Sequence, residues 1–298
     1  MNKTLLAHLT LLSSMIIYAA GFSIIKEVTP AHVSPAGFVA LRVLGATPLL
    51  WLSGLFIREK VETADLKKIA VLSLFGVSIN QSLFIKGMAL TSPISGAIIM
   101  ITSPLLVLFI GNLVLKEKFT AMRITGILLG LAGAGMLILT SSLSNGKEDN
   151  ALGDLFIFIN ALSWGTFLVY VKPLMSKYNT ITVLKWVFLF GLPILVPLGW
   201  SGMMEAEYAE FTGRTWFGIF FVVVMVTFVA YLLNVYSLKV LSPTVVSAYI
   251  YLQPLFAAII AIYLGKDELS WQKVVFGLCI FAGVFLASQK STRKTIPS

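Results

Sequence analysis

Charged residues and cysteines are scarce in this chain. Charged side chains make up 12% of its 298 residues, whereas about a quarter is usual in soluble domains. The single cysteine, Cys279, stands in an apolar run and has no partner for an intramolecular disulfide. Because hydrophobic residues make up 58% of the chain, we predict an all-α, multi-pass membrane protein rather than a soluble globular one.

Sequence motifs of the common enzyme chemistries are missing as well. The chain contains no H-E-x-x-H, G-x-S-x-G or G-x-x-x-x-G-K-[ST] motif, so a zinc protease, a serine hydrolase and an ATP-driven pump have no support. Its two histidines, His8 and His32, cannot build a metal site with the carboxylates available at membrane depth. We therefore expect no enzyme, no metal and no cofactor.

Long apolar runs are what the chain has in quantity. A helix needs about 20 apolar residues to cross roughly 30 Å of hydrocarbon, and ten runs approach or reach this length. They lie at 5–25, 37–57, 69–88, 94–115, 122–140, 152–172, 181–200, 215–237, 244–264 and 272–289. The first run follows Lys3, as a signal peptide would, but its spanning length and its counterpart later in the chain favour a membrane helix.

One segment with two prolines occurs twice. "TSPISGAIIMITSP" at 91–104 and "LSPTVVSAYIYLQP" at 241–254 both hold two prolines eleven residues apart, and the segments are displaced by 150 residues. Upstream, "YAAGFSIIK" at 18–26 aligns with "WGTFLVYVK" at 164–172 at a shift of 146. The chain therefore contains two copies of one five-helix unit. We place them at 1–143 and 152–290, with a linker at 144–151.

The odd number of helices in each unit predicts their relative orientation. A second copy of a five-helix bundle must enter the membrane upside down, and inverted repeats are a recurrent plan of secondary transporters. Duplication for stability alone is the alternative. With ten spans and a cytoplasmic N-terminus, fifteen Lys and Arg residues fall in inner segments and six in outer ones. The positive-inside rule then predicts that both termini of this cell-membrane protein are cytoplasmic.

The repeated segments also resemble a known family. "ALTSPISGAIIMITSPLLVLFIGNLVLKEKFT" and "VLSPTVVSAYIYLQPLFAAIIAIYLGKDELS", each followed by a glycine-rich helix, are similar to the EamA-like branch of the drug/metabolite transporter superfamily over nearly the whole chain. The resemblance implies a ten-helix exporter or permease in which helices 1, 3, 4, 6, 8 and 9 line a central cavity. The two halves differ at two positions: Asp267 stands where the first half has Glu117, and Arg42 has no counterpart.

Uncharged polar and aromatic residues are the candidate site residues within the runs. Their amides and hydroxyls need partners in hydrocarbon, so they either bridge helices or face a wet cavity. No Asp, Glu or His stands near the middle of a run, which disfavours a proton-coupled exporter of lipophilic cations. The set predicts a pocket for a neutral or zwitterionic metabolite. The predicted substrate-binding residues are Tyr18, Asn80, Gln81, Trp164, Tyr231, Asn234, Tyr249 and Gln253.

Basic, proline and glycine residues form three further sets. The basic residues lie near helix ends, where they either snorkel to lipid headgroups or attract a carboxylate-bearing solute. Pro104 and Pro254 fall near the middle of the fourth and ninth runs, where each bends its helix as a hinge or as a static kink. Glycines in the fifth and tenth runs allow tight helix packing or homodimerisation. The vestibule set is Lys26, Arg42 and Lys86 at the outer mouth, and Lys172, Lys185 and Lys239 at the inner mouth.

Export of a small metabolite by alternating access is the function that we expect. A sugar-phosphate or other phosphometabolite exchanger is the first alternative, but it should place Lys or Arg inside helices 8 to 10, whose centres have none. A non-transporting membrane scaffold is the second. The expected partners are a small-molecule metabolite and the lipid bilayer. We expect no nucleic acid, because the basic residues are scattered in short gaps.

Overall fold

The apolar runs are helices in a computed structural model of the protein, which describes residues 3–115, 121–143, 150–265 and 270–288. Within these ranges the chain is helical and contains no strand. The helices are α1 (Lys3–Val28), α2 (Pro35–Ser53), α3 (Thr63–Leu90), α4 (Pro93–Met100 and Thr102–Leu115), α5 (Ala121–Leu143), α6 (Ala151–Lys177), α7 (Thr180–Met204), α8 (Gly213–Ser237), α9 (Pro243–Ala248 and Leu252–Tyr263) and α10 (Trp271–Ser288).

Eight of the described helices are long and apolar enough to cross a membrane, namely α1 to α4 and α6 to α9. The apolar stretches Ile124–Met136 of α5 and Trp271–Gly283 of α10 are shorter. The prediction of an all-α, multi-pass membrane protein is thus confirmed, while ten spans in two inverted repeats stay a prediction. Glu117, Asp267 and linker residues 144–149 lie outside the described residues.

The first proline of each repeated pair begins a helix. Pro93 opens α4 and Pro243 opens α9, and the preceding serines, Ser92 and Ser242, are their N-caps. Each serine hydroxyl accepts a hydrogen bond of 3.3 Å from the backbone N–H three residues on. Proline suits the first turn because its missing N–H would have no helical partner there, and serine is a preferred cap. The Ser-Pro pairs therefore set where both helices start.

The second proline of each pair follows a break in the helix. α4 is interrupted at Ile101, just before Pro104, and α9 tightens to a 3₁₀ turn over Tyr249–Tyr251, just before Pro254. Proline causes this because it donates no hydrogen bond and its ring clashes with the carbonyl one turn back. The two breaks occupy equivalent places in the two halves.

Widened π-helical segments also recur in the two halves. They are Leu74–Ser78 in α3 and Phe221–Ala230 in α8, and a shift of 150 residues superposes the first on the second. Single-turn π bulges inside α-helices are frequent at functional sites. The Tyr231 hydroxyl lies 2.8 Å from the carbonyl oxygen of Gly76 in the first segment. This bond links α8 of the second half to α3 of the first.

Glycines let helices of the two halves touch at their backbones. A Cβ atom on Gly37 of α2 would lie 2.4 Å from the backbone carbon of Gly202 in α7, and one on Gly283 of α10 would lie 2.4 Å from the backbone nitrogen of Gly130 in α5. Gly126, Gly130 and Gly133, glycines of the fifth apolar run, therefore pack against α10 of the same chain.

Gly283→Ala is expected to lower the melting temperature. The new Cβ would lie 2.4 Å from Gly130 N and 2.6 Å from Gly126 O, so α5 and α10 must separate, at a cost of about 1–3 kcal/mol. Gly135→Ala in α5 is the matched control, because nothing lies within 4 Å of its Cβ position and alanine is the better helix former. Equal melting temperatures in detergent for the two variants would contradict this helix contact.

Candidate functional site

A cavity of about 60 Å³ lies among α1, α2, α3, α4, α6, α8 and α9. At about 10–15 Å³ for each water, it has room for roughly four to six water molecules. The structure brings seven of the eight predicted substrate-binding residues together in its wall. They are Tyr18, Asn80, Gln81, Trp164, Tyr231, Asn234 and Gln253.

Tyr249, the eighth predicted residue, lies outside the cavity wall. Its hydroxyl is 2.7 Å from Nδ1 of His8 in α1, and the two rings stack with centroids 5.8 Å apart. The 3₁₀ turn explains the difference, because three residues per turn rotate Tyr249 away from the face that α-helical spacing gives it with Gln253. Tyr249 thus joins α9 to α1 beside the site.

Equivalent positions of the two halves meet at the cavity with different chemistry. Gln81 faces it from the first half and Tyr231, 150 residues later, from the second. Phe84 and Asn234 form another such pair. Tyr18 and Trp164 correspond at the shift of 146. Equivalent backbone positions of the two halves therefore line the cavity, and because they carry different side chains the cavity wall is asymmetric.

Aromatic rings form two walls of the cavity. The Trp164 ring lies edge-on to Tyr231 with centroids 5.2 Å apart, and it stacks on Phe167 at 5.4 Å. Phe22 and Phe84 meet edge-on at 5.3 Å on α1 and α3. Aromatic pairs of this kind fix the orientation of the rings, in addition to burying apolar surface. The site therefore offers rigid apolar surfaces to a ligand.

Part of the polar wall is fixed by bonds between helices. The Tyr231 hydroxyl lies 2.8 Å from Oδ1 of Asn80, and Nδ2 of Asn160 donates to the Asn80 carbonyl at 2.8 Å. Sequence reasoning missed Asn160, although an amide inside an apolar run was the signal that selected its neighbours in the site. These bonds tie α3, α6 and α8 together around the cavity.

Other polar atoms of the wall have no hydrogen-bond partner among the described residues. Buried polar atoms in native proteins are nearly always paired, so this cluster points to a polar ligand or ordered water in the cavity. The atoms are the Tyr18 hydroxyl, Nη1 of Arg42, both amide atoms of Gln81, Oδ1 of Asn160, Oδ1 of Asn234 and Oε1 of Gln253.

Arg42 lies much deeper than the outer vestibule where it was expected. α2 begins at Pro35, so Arg42 stands about 10 Å inside the helix at 1.5 Å per residue. Its side chain is 2% exposed and lines the cavity. Nε donates a 2.9 Å hydrogen bond to Oγ1 of Thr227 in the π segment of α8. A neighbouring helix thus holds the guanidinium inward, where snorkelling to headgroups is prevented.

The other predicted vestibule residues divide into three groups. Lys26 donates to the Ala89 carbonyl at 3.3 Å, and Lys172, its equivalent in the second half, donates to the carbonyls of Leu238 and Leu241. Each of these two lysines satisfies carbonyls at the C-terminal end of α3 or α8, as basic residues do at helix ends. The ammonium of Lys185 lies 5.0 Å from the Trp51 ring centroid. Lys86 and Lys239 are exposed.

α3 and α6 are tied to each other at both ends. At one end the carboxylate of Asp65 accepts from Lys177 Nζ at 2.6 Å and from the Tyr178 hydroxyl at 2.9 Å. At the other end the Thr91 hydroxyl donates to Asp154, whose side chain is buried. Sequence reasoning did not select these residues, because each lies near a helix end where charge is ordinary. They set the spacing of the two helices that carry Asn80 and Trp164.

Apolar helices of spanning length around a cavity lined by polar and aromatic side chains define a multi-pass membrane protein with a candidate binding site inside its helix bundle. The EamA-like transporter family model matches residues 5–139 and again 151–289. The chain belongs to this family, which confirms the resemblance found in the repeated segments and makes the protein a membrane transporter.

Relatives agree with this assignment. An uncharacterized transporter of Archaeoglobus fulgidus is 26% identical over 95% of this chain and 97% of its own length. The uncharacterized transporter YyaM of Bacillus subtilis is 25% identical over 96% of this chain and 94% of its own length. A WAT1-related protein of Arabidopsis thaliana is 29% identical over 58% of this chain and 55% of its own length.

A solved crystal structure shares the fold. Its TM-score is 0.64 at 16% identity, over 95% of this chain and 96% of that chain. At this identity the likeness concerns the helix arrangement alone.

Proposed function

We propose that this protein is a secondary transporter that exports small neutral or zwitterionic organic metabolites, amino acids among them, by alternating access. The observation that carries the proposal is the group of unpartnered polar atoms in a buried cavity between aromatic walls. Such a site fits a ligand that has polar groups at one end and an apolar body at the other. The cavity lies where helices of the two halves meet, which is where inverted-repeat transporters bind substrate.

The proposed orientation has two inverted repeats with both termini in the cytoplasm. Fifteen basic residues in the inner segments against six in the outer ones support it. Recurrence of the Ser-Pro helix starts, the π segments and the breaks before Pro104 and Pro254 supports two equivalent halves. In this arrangement the halves rock about the cavity and open it to each side in turn.

Phosphometabolite exchange is the weaker alternative. A phosphate group carries more negative charge than a carboxylate and calls for several fixed cations. Arg42 is the one basic residue in the described cavity wall. The site therefore supports a less highly charged metabolite better than a sugar phosphate.

Counterflow in proteoliposomes tests the proposal. Vesicles preloaded with one unlabelled solute are given trace labelled solute, across a panel of amino acids, purines and dyes, with and without a pH gradient. We expect accumulation of at least one zwitterionic solute above that in empty liposomes. Absence of flux for every solute, in protein that remains folded and monodisperse, would contradict the proposal and favour the scaffold alternative.

A further inference from the structure

We propose that Arg42 binds a carboxylate of the transported metabolite, so that the substrates are small monocarboxylic acids with an apolar or aromatic body, zwitterionic amino acids included. This inference rests on the proposed function and redefines its substrate class around the carboxylate: monoanionic acids are added to the zwitterions, while neutral solutes without a carboxylate, and cations, are excluded. The evidence for this inference is the position, charge and hydrogen bonding of the Arg42 side chain.

The charge of Arg42 has no counterion within the described protein. The side chain is 2% exposed, no described residue forms an ion pair with it, and no Asp or Glu lines the cavity. An arginine stays ionised in proteins, and a buried charge without a partner is strongly destabilising. An anionic ligand would remove this penalty. The cavity is therefore complementary to a single negative charge.

The guanidinium is also held in one orientation. Oγ1 of Thr227 accepts from Arg42 Nε at 2.9 Å and itself donates to the Val222 carbonyl at 2.7 Å, within the π segment of α8. Nη1 of Arg42 has no hydrogen-bond partner in the part of the chain that the structure describes. Because a planar guanidinium presents paired N–H donors that match the two oxygens of a carboxylate, the remaining edge is ready to bind one. Thr227 is a positioning residue for Arg42.

The rest of the cavity suits the body of such an acid. Rings of Phe22, Phe84 and Trp164 give apolar surface. Oxygen atoms of Asn234 and Gln253 are among the unpartnered acceptors, and amide oxygens can accept from the ammonium group of an amino acid. A monocarboxylic acid therefore satisfies Arg42, and its body contacts the aromatic walls.

The test uses the purified full chain and four pairs of acid and amide probes. The pairs are 3-phenylpropionate with its amide, benzoate with benzamide, butyrate with butyramide, and phenylalanine with phenylalaninamide. We expect at least one acid to raise the melting temperature and to bind ten times or more tightly than its amide. No stabilisation by any of the four acids, or equal affinity for acid and amide in every pair, would overturn the inference.

Variants of Arg42 assign the effect to this side chain. Arg42→Gln is expected to weaken binding of the preferred acid by about 30-fold or more, as removal of one partner of a buried charge pair does, and to leave the amide unchanged. Arg42→Lys should restore part of the affinity, because it keeps the charge and loses the paired donors. Acid binding that Arg42→Gln leaves unchanged would contradict the assignment.

A second readout distinguishes ligand binding from a structural role. Without ligand, Arg42→Met is expected to melt at the same or a higher temperature, because it removes an uncompensated buried charge. Melting several degrees lower would show that Arg42 serves the fold. Thr227→Val should weaken acid binding but not amide binding, whereas the same change at Thr166, an α6 residue outside the cavity wall, should alter neither.

Failure of this inference can be told apart from failure of the proposed function. Binding of the acid without flux in proteoliposomes would refute transport of that acid and leave the carboxylate site standing. Flux of the amides with none of the acids would refute the carboxylate site and leave the transporter standing.

Discussion

Gln81→Leu is expected to reduce transport at least about ten-fold without lowering stability. Gln81 is 1% exposed, lines the cavity beside the Tyr231 hydroxyl, and neither of its amide atoms reaches good hydrogen-bond geometry with a described residue. Leucine is close to glutamine in size, so the change removes hydrogen-bonding capacity and little volume. An unpartnered buried amide costs about 1–3 kcal/mol, so the melting temperature should stay the same or rise. The Tyr231 hydroxyl keeps its contacts with Gly76 and Asn80, so the main loss is that of the ligand or of the water it replaces.

Gln272→Leu is the matched control for this prediction. Gln272 is exposed near the start of α10 and lies away from the cavity, so the same chemical change should leave transport unaltered. Initial rates in proteoliposomes and thermal melting of both variants make the comparison. Undiminished transport by Gln81→Leu would show that the cavity amides only pack helices.

Pro104→Ala and Pro254→Ala are expected to slow turnover several-fold while affinity for substrate stays nearly constant. The helix is broken at Ile101 before the first proline and tightened at Tyr249–Tyr251 before the second. Alanine would restore the missing donor and let each helix run straight. If the halves bend at these breaks during alternating access, straight helices slow the conformational change. Substrate affinity changes little, because the residues that line the cavity are unchanged.

The two proline variants should also shift the cavity in opposite senses. In inverted repeats, stiffening α4 and stiffening α9 act on opposite sides of the membrane, so one variant should favour the inward-open form and the other the outward-open form. Accessibility of a cavity cysteine from each side measures this ratio. Equal losses of affinity with no change in accessibility would mean that the prolines shape the pocket and are not hinges.

Much of the cavity could be predicted from the sequence, because polarity inside a membrane run is a strong signal. Asn80, Gln81, Asn234 and Gln253 stand in apolar surroundings, where a polar group needs a partner, and all four line the cavity. The duplicated proline segment led to the EamA-like family, which the family match confirms. These inferences depend on residue type and spacing alone.

The missed features depend on the rotation and depth of each helix. The 3₁₀ turn of α9 moves Tyr249 off the face that an unbroken helix would give it, and the π segment of α8 places Thr227 where it can hold Arg42. Hydropathy reveals neither irregularity. Its position early in the second apolar run predicts that Arg42 lies near a mouth, but α2 begins at Pro35, which is early enough to carry Arg42 inward.

Accessibility of the cavity from both sides of the membrane is the most direct test of the central claim that this cavity is the transport site. Cys279 is the only cysteine, so a Cys279→Ala background allows one thiol to be placed at Val226, a cavity position where cysteine is a small change. The control thiol is at Val222, which is buried outside the cavity wall.

A membrane-impermeant thiol reagent is applied to each face of sealed vesicles. We predict that Val226→Cys reacts from both faces, more slowly with bound substrate, and that Val222→Cys reacts from neither. Reaction of Val226→Cys from one face only, or from neither, would contradict the account.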